Sequence, residues 1–308
     1  MSHLTFTLIQ TNLHWEDKAA NLQMLEEKIN SIQHPTQIVV LPEMFNTGFS
    51  MKPEELAEPM NGPTVEWMKK IAAEKRVIVT GSLMISQPAP GSQTIEANES
   101  GETGEAGPTN DTHLSEDLAP SVLERAGGEV YFNRLIWMLP NGQHGVYDKR
   151  HLFAYADENK HYTAGTKRLI ASVNGWKINL QVCYDLRFPV WARQTPPPPG
   201  EAGRGLEFDV LIYVANWPER RVHAWKTLLT ARAIENQCYV IGVNRTGDDG
   251  NGVYHSGSSM VIDAMGEVLY EKEYEEDIHT ITLSKEKLEE IRHKLPFLKD
   301  GDAFSIHP

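Results

Sequence analysis

Cysteine is scarce in this chain: its 308 residues include two, Cys183 and Cys238, far apart and with no CxxC pair. That excludes a disulfide framework and a zinc knuckle, and it suits a reducing cytoplasm. No apolar run approaches the length needed to cross a bilayer. The opening MSHLTFTLIQ alternates polar and apolar residues like a strand, without the basic start and continuous apolar stretch of a signal peptide. Bases are outnumbered too: 29 Lys and Arg stand against 42 Asp and Glu, a net charge of -13. Such a balance argues against nucleic acid and anionic membrane as partners. The twelve histidines form no HExxH and no close pair on one helix face. Gly247 to Gly252 lacks the lysine-serine of a phosphate loop and reads as a turn. Ser256-Gly-Ser-Ser is not a GxSxG elbow.

What is present is an ordinary globular composition carrying one unusual segment. Residues 86–128 hold eight acids against the single base Arg125, so this stretch supplies -7 of the charge and the remainder only -6. Rich in Gly, Pro, Ser, Thr and Glu, it cannot build its own core and reads as a disordered acidic insert. A lid or partner-binding role is the alternative. QTPPPPGEAGRG (194–205) reads as a stiff polyproline connector. Elsewhere strand-like and helix-like runs alternate, which predicts one α/β domain over 1–308 with strands between layers of helices. Strands are expected at 4–10, 37–42, 76–85, 129–140, 144–149, 168–173, 176–183, 208–216, 238–245, 258–265, 266–273 and 277–283. Helices are expected at about 15–32, 63–74 and 218–236, with a last one from Ser284. Asn141-Gly142 and Asn174-Gly175 signal hairpins.

Three reactive side chains of different kinds stand where predicted strands stop. Glu43 follows QIVVLP, Lys149 follows GVYD, and Cys183 ends WKINLQVC before the pattern breaks into YDLRFP. Taken singly, each has a bland reading: a solvated loop acid, a surface lysine, a core cysteine. Together their chemistry is complementary. A thiol of ordinary pKa is a few per cent thiolate at neutral pH. It becomes a working nucleophile if a carboxylate takes its proton or an ammonium stabilises the thiolate. The same ammonium, with the backbone N–H of Tyr184, can hold a tetrahedral oxyanion. His144, His151 and His161 are weighed as alternative partners of Cys183, although no cysteine-protease signature surrounds it. Cys238, Trp225 and Leu229 read as core.

LPEMFNTGFSM around Glu43, YDKRHLF around Lys149 and VCYDLRFP around Cys183 resemble the three signature segments of the nitrilase (carbon–nitrogen hydrolase) superfamily. The resemblance continues through 215–237 and 242–263. FNTGFSM, HLF followed by ADENKHYTAG, and ANWP look most like its omega-amidase branch. Those enzymes hydrolyse the terminal amide of 2-oxo acid amides such as 2-oxoglutaramate and 2-oxosuccinamate. The resemblance implies Glu43 as general base, Lys149 as oxyanion-stabilising cation and Cys183 as nucleophile. It also implies that Glu158, seven residues before Gly165, orients Lys149 or the attacking water. No metal or organic cofactor is implied. Asn216 and Trp217 are expected to line the pocket, and Phe45 and Phe49 to form its apolar wall. Arg187, Arg220 and Arg221 are candidates for a substrate carboxylate, with surface or structural roles as the simpler reading of each. The implied fold is a four-layer α-β-β-α sandwich of the nitrilase type, assembled as a back-to-back homodimer. Hydrolysis of another carbon–nitrogen bond, such as that of an N-carbamoyl amino acid, and an inert scaffold using the acidic insert are the rival functions.

Overall fold

The structure is a computed structural model that describes residues 2–89, 128–194, 206–302 and 304–306. In chain order the first half comprises β1 (His3–Gln10), α1 (Lys18–Asn30), β2 (Ile38–Val40), α2 (Pro53–Leu56), α3 (Pro63–Lys75), β3 (Ile78–Pro88), β4 (Glu129–Met138), β5 (His144–Asp148) and α4 (Glu158–His161). The second comprises β6 (Leu169–Val173), β7 (Trp176–Val182), α5 (Pro189–Ala192), β8 (Val210–Ala215), α6 (Val222–Asn236), β9 (Tyr239–Asn244), β10 (Thr246–Asp248), β11 (Tyr254–Ile262), β12 (Val268–Glu273), β13 (Asp277–Ser284) and α7 (Lys285–Lys294). Local chemistry sets several of the ends. Asp17 accepts the Ala20 N–H to start α1, Pro63 occupies the first turn of α3, and Ser284 accepts the Lys287 N–H at α7.

The strands form two sheets. One has six strands in the order β13-β1-β2-β3-β4-β5; the other has β10-β11-β9-β8-β7-β6, with β12 beside β11. Each is parallel at its centre, β1-β2-β3 in the first and β7-β8-β9 in the second. Side-chain alternation divides the core. In β2, Ile38 and Val40 join the cluster shared with β7, β8 and β9, whereas Val39 joins Leu25, Ile29, Met68 and Ile71 of α1 and α3. The second sheet covers its other face with α6 and α7 through Trp225, Leu229 and Leu288. Helices, sheet, sheet and helices give the four-layer α-β-β-α sandwich. Among the described residues no helix is long and apolar enough to cross a membrane.

Several expectations shift by a few residues. The strand expected at 76–85 starts at Ile78, because Arg76 takes a left-handed conformation and ends α3. It runs on to Pro88, which pairs with Glu129 of β4, so the insert starts after Pro88 and ends, as expected, before Glu129. The rest of that insert, residues 90–127, and the proline run at 195–205 lie outside the described residues. The helix expected from Pro218 starts at Val222. Glu219–Arg221 instead form a 3-10 turn, held by a hydrogen bond from the Trp217 indole N–H to the Arg221 carbonyl at 2.8 Å. The short α2, α4 and β10 carry too few residues to show a period and were not expected.

Candidate active site

The parallel strands deliver their carboxyl ends to one side of the sandwich, where open α/β sheets commonly hold ligands. Glu43 follows β2, Cys183 follows β7 and Asn216 follows β8, while Lys149 follows β5. Glu43, Lys149 and Glu158 are fully buried, and Cys183 retains 9% exposure, enough to be reached from outside. The Lys149 ammonium donates to Glu43 Oε1 at 2.9 Å and to Glu158 Oε1 and Oε2 at 3.0 and 2.9 Å. Asn133 donates to both carboxylates, at 2.9 Å to Glu43 and 3.2 Å to Glu158. Glu43 also accepts the Asn216 backbone N–H at 2.8 Å, and its own carbonyl accepts the Asn216 amide at 2.6 Å. The same Glu43 carboxylate acts on Cys183, close enough to raise the pKa of its thiol.

The backbone around these groups is held in costly conformations. Met44, Asp157 and Cys183, beside or within the site, have φ of 43°, 60° and 44°. A left-handed non-glycine residue costs roughly 1–2 kcal/mol, so surrounding bonds must impose it. For Cys183 that bond is visible. Asp185 is buried and accepts the Val182 N–H at 3.1 Å, the Tyr147 hydroxyl at 2.7 Å and the His151 N–H at 2.9 Å. One carboxylate thereby fastens the turn after β7 to the segments before and after Lys149. Gly165 seats the other side of that loop: its N–H meets the Lys149 carbonyl at 3.0 Å, and an added Cβ would fall 2.1 Å from the Asp148 carbonyl.

The charges decide how the thiol is used. Burial opposes a charged Lys149, but the carboxylates of Glu158 and Glu43 outweigh it and hold its pKa above the usual lysine range. Glu158 is pushed up, chiefly by burial, with Glu43 adding and Lys149 opposing. Burial, then Glu43, push the Cys183 thiol well above its ordinary range, and Lys149 opposes them only in part. The ammonium is already engaged by two carboxylates. Cys183 therefore rests as a thiol, and of the two activation routes open in the sequence, proton transfer to Glu43 is the one this geometry favours.

Cys183 and Lys149 open into a cavity of about 350 Å³, at the small end of ligand sites. Phe49, Tyr184, Asn216 and Trp217 line it as expected, and the Phe49 ring lies 5.1 Å from the Lys149 ammonium. Phe45 does not. It is fully buried on the helix side of its sheet, its ring 6.0 Å from that of Trp67. Gly81 leaves the space it fills: a Cβ there would lie 2.8 Å from the Phe45 ring. His151 stacks on Phe188 at 3.8 Å and faces Asp185, and neither His144 nor His161 lines the cavity. Among the described residues no group of three or more His, Cys, Asp or Glu side chains is placed to hold a metal ion.

Some residues of the site escaped the sequence. Asn133 gave a usable signal, a lone amide in the strand YFNRLIWM. The glycine-rich turn after β10 contributes Asp249, Asn251 and Val253 to the cavity, and β11 contributes His255. Buried Arg245 anchors that turn through Asn12 and the Asp248 carbonyl, both at 2.8 Å, and burial lowers its pKa to about 10. Burial, then Arg245, depress His255 to about 4 from 6.5. Its contribution to stability is therefore complete above pH ~6.5 and is lost as the pH falls towards 4, because the unfolded chain takes the proton first. Urea unfolding should show wild type losing about 2–3 kcal/mol more than His255→Gln between pH 7.5 and 4.5. Parallel curves would rule out this buried, neutral histidine.

The sequence comparison agrees with this geometry. The carbon-nitrogen hydrolase family matches residues 5–107 and 109–293. The chain belongs to that family. This hydrolase is 37% identical to the omega-amidase YafV of Yersinia enterocolitica, over 99% of this chain and all of that one. It is 28% identical to the 2-oxoglutaramate amidase of Bacillus subtilis, over 96% of each. Its fold matches the crystal structure of a CN-hydrolase superfamily protein from Xanthomonas campestris with a TM-score of 0.82, at 37% identity and full coverage of both chains. That protein carries an arsenic adduct in its active site.

Proposed function

We propose that this hydrolase is an omega-amidase, converting 2-oxo acid amides such as 2-oxoglutaramate and 2-oxosuccinamate to the dicarboxylate and ammonia. The observation that carries the chemistry is one buried carboxylate, Glu43, bonded to Lys149 and close enough to Cys183 to raise the pKa of its thiol, beside a small cavity. The full-length likeness to YafV and to 2-oxoglutaramate amidase supports the substrate class. In this reading Cys183 attacks the amide carbon as its proton passes to Glu43. Lys149 and the Tyr184 N–H, in the first turn of the 3-10 segment Cys183–Arg187, hold the oxyanion. Glu43 hands the proton to departing ammonia, and the acyl group stays on sulfur as a thioester. Water, deprotonated by Glu43, then attacks the thioester, and the thiol leaves with that proton. Glu158 keeps Lys149 aimed. Asn216 lines the cavity and holds the base in place through its backbone N–H.

Ammonia release from 2-oxoglutaramate, 2-oxosuccinamate, glutamine and an N-carbamoyl amino acid tests the assignment. The 2-oxo acid amides should lead glutamine by roughly tenfold or more in kcat/KM. Turnover of the N-carbamoyl compound alone would replace the assignment with another hydrolase of the same family. We also propose that the whole chain forms a single domain working as a cytoplasmic homodimer. The core cluster spanning both sheets and two unbridged thiols support this, as do Ile234 and Met265, each 50% exposed. Sedimentation equilibrium giving the monomer mass would count against the dimer.

A further inference from the structure

Asn133 interrupts the apolar inner face of β4. Leu135 and Trp137, which share that face, belong to the core between the sheets, and Asn133 is as fully buried as they are. Its carbonyl accepts the Lys149 N–H at 3.0 Å, and its side chain faces two carboxylates. Between two acceptors an amide must present its NH2, one N–H to Glu43 Oε1 at 2.9 Å and one to Glu158 Oε1 at 3.2 Å. An amide is a costly choice for a core position unless those N–H groups are used.

The donors and acceptors of this buried group nearly match. A carboxylate offers about four acceptor positions and an ammonium three donors. Glu158 takes Lys149 and Asn133 on Oε1, and Lys149 and the Phe153 N–H on Oε2, the last at 2.6 Å. Glu158 is therefore filled and in no position to activate water. Glu43 takes Lys149 and Asn133 on Oε1 but, among the described residues, only the Asn216 N–H on Oε2, which leaves Oε2 as the place for the thiol proton. Lys149 meets Glu43 Oε1 and both oxygens of Glu158, so all three of its N–H bonds are engaged. To serve an oxyanion it must turn one of them away from a carboxylate. Asn133 already holds the two Oε1 atoms that Lys149 can leave.

We propose that Asn133 is a positioning residue for the transition state: it keeps Glu43 and Glu158 in place while Lys149 turns an N–H to the oxyanion. The proposal rests on the amidase reading of this site. As the Cys183 sulfur bonds the amide carbon, the carbonyl π pair moves onto oxygen and the thiol proton passes to Glu43 Oε2. Glu43 gives up the ammonium more readily as it gains that proton, and Asn133 then keeps the Oε2–H aimed at the departing nitrogen. Without Asn133, the Oε1 atom that Lys149 leaves would stand buried with no donor, which is costly. At rest each Oε1 would still keep its bond from Lys149, so the cost falls on the intermediate. An interaction needed only there changes kcat and leaves substrate binding alone.

The test measures ammonia release from 2-oxoglutaramate by wild type, Asn133→Leu and Asn133→Ser, beside the rate at which iodoacetamide alkylates Cys183. Alkylation forms an S–C bond with loss of iodide; it needs the thiol and its base but makes no oxyanion. Asn133→Leu has no donor and leaves little room for water. It should lose about 100-fold in kcat, with KM and the alkylation rate within about threefold of wild type. Asn133→Ser keeps one O–H donor and should lose only about tenfold, again in kcat alone, which also serves if the leucine variant does not fold. Parallel losses in ammonia release and alkylation would make Asn133 a support of the resting site and overturn the proposal. A loss carried by KM, or a kcat within about threefold of wild type in either variant, would do the same. If wild type itself releases no ammonia from 2-oxoglutaramate, the amidase assignment fails first, and that result is read without any variant.

Discussion

Cys183→Ala is expected to lower ammonia release by about 10⁴-fold or more while leaving the fold in place. A tenfold change in rate is about 1.4 kcal/mol, so the loss corresponds to some ~5–6 kcal/mol of barrier. An effect this large is appropriate to the atom that forms the intermediate, because Lys149, the Tyr184 N–H and Glu43 then have no nucleophile to serve. Stability should hardly move. Alanine at φ 44° carries the same Cβ as cysteine, and what is removed is one desolvated thiol. Mass spectrometry of quenched turnover should find a substrate-derived acyl mass on wild type and none on the variant. Residual activity within tenfold of wild type would show that another group attacks the amide.

Lys149→Met differs in kind, since it should damage activity and stability together. Among the described residues the ammonium is the one cation hydrogen-bonded to both buried carboxylates. Removing it leaves the two buried carboxylates Glu43 and Glu158 without their counter-ion, and breaking a buried ion pair in this way costs about 3–5 kcal/mol. The pH dependence has a definite sign. Glu158 is already raised by burial with Lys149 opposing, so without the lysine its folded pKa stands further above the unfolded one and the folded state binds protons more readily. The variant should therefore be least stable at neutral pH and recover as the pH falls towards 5. Urea titrations at pH 7.5 and 5.5 measure this directly. Activity should fall by about 10³-fold from the lost oxyanion donor, at either pH. A variant with wild-type stability at pH 7.5 would mean that the two carboxylates already share a proton in the native protein.

The chemistry was legible in the sequence because it depends on residue type and on where strands stop. Hydrophobic runs mark strand ends well, and Glu43, Lys149 and Cys183 each follow one. Phe45 and Phe49 show the limit. Four residues apart in an irregular loop, they obey no period, and a space left by Gly81 sends one ring into the core while the other lines the cavity. The arginines show it differently. A short 3-10 turn in place of the first turn of α6 puts Arg220 and Arg221 at the cavity, and pattern alone could not separate that from a helix flank.

The sequence by itself determined the two Asn-Gly hairpins and the standing of Glu43, Lys149 and Cys183 at strand ends, because these follow from local backbone preference, while the order of the layers was what the family resemblance implied. The tertiary structure alone decided what those groups touch. Glu43 meets Asn133, Lys149 and Asn216 across 90, 106 and 173 residues of chain. Contacts at that separation are set by packing two sheets face to face. The same packing buries Cys183 beside Glu43, and so makes its sulfur a thiol that needs a base.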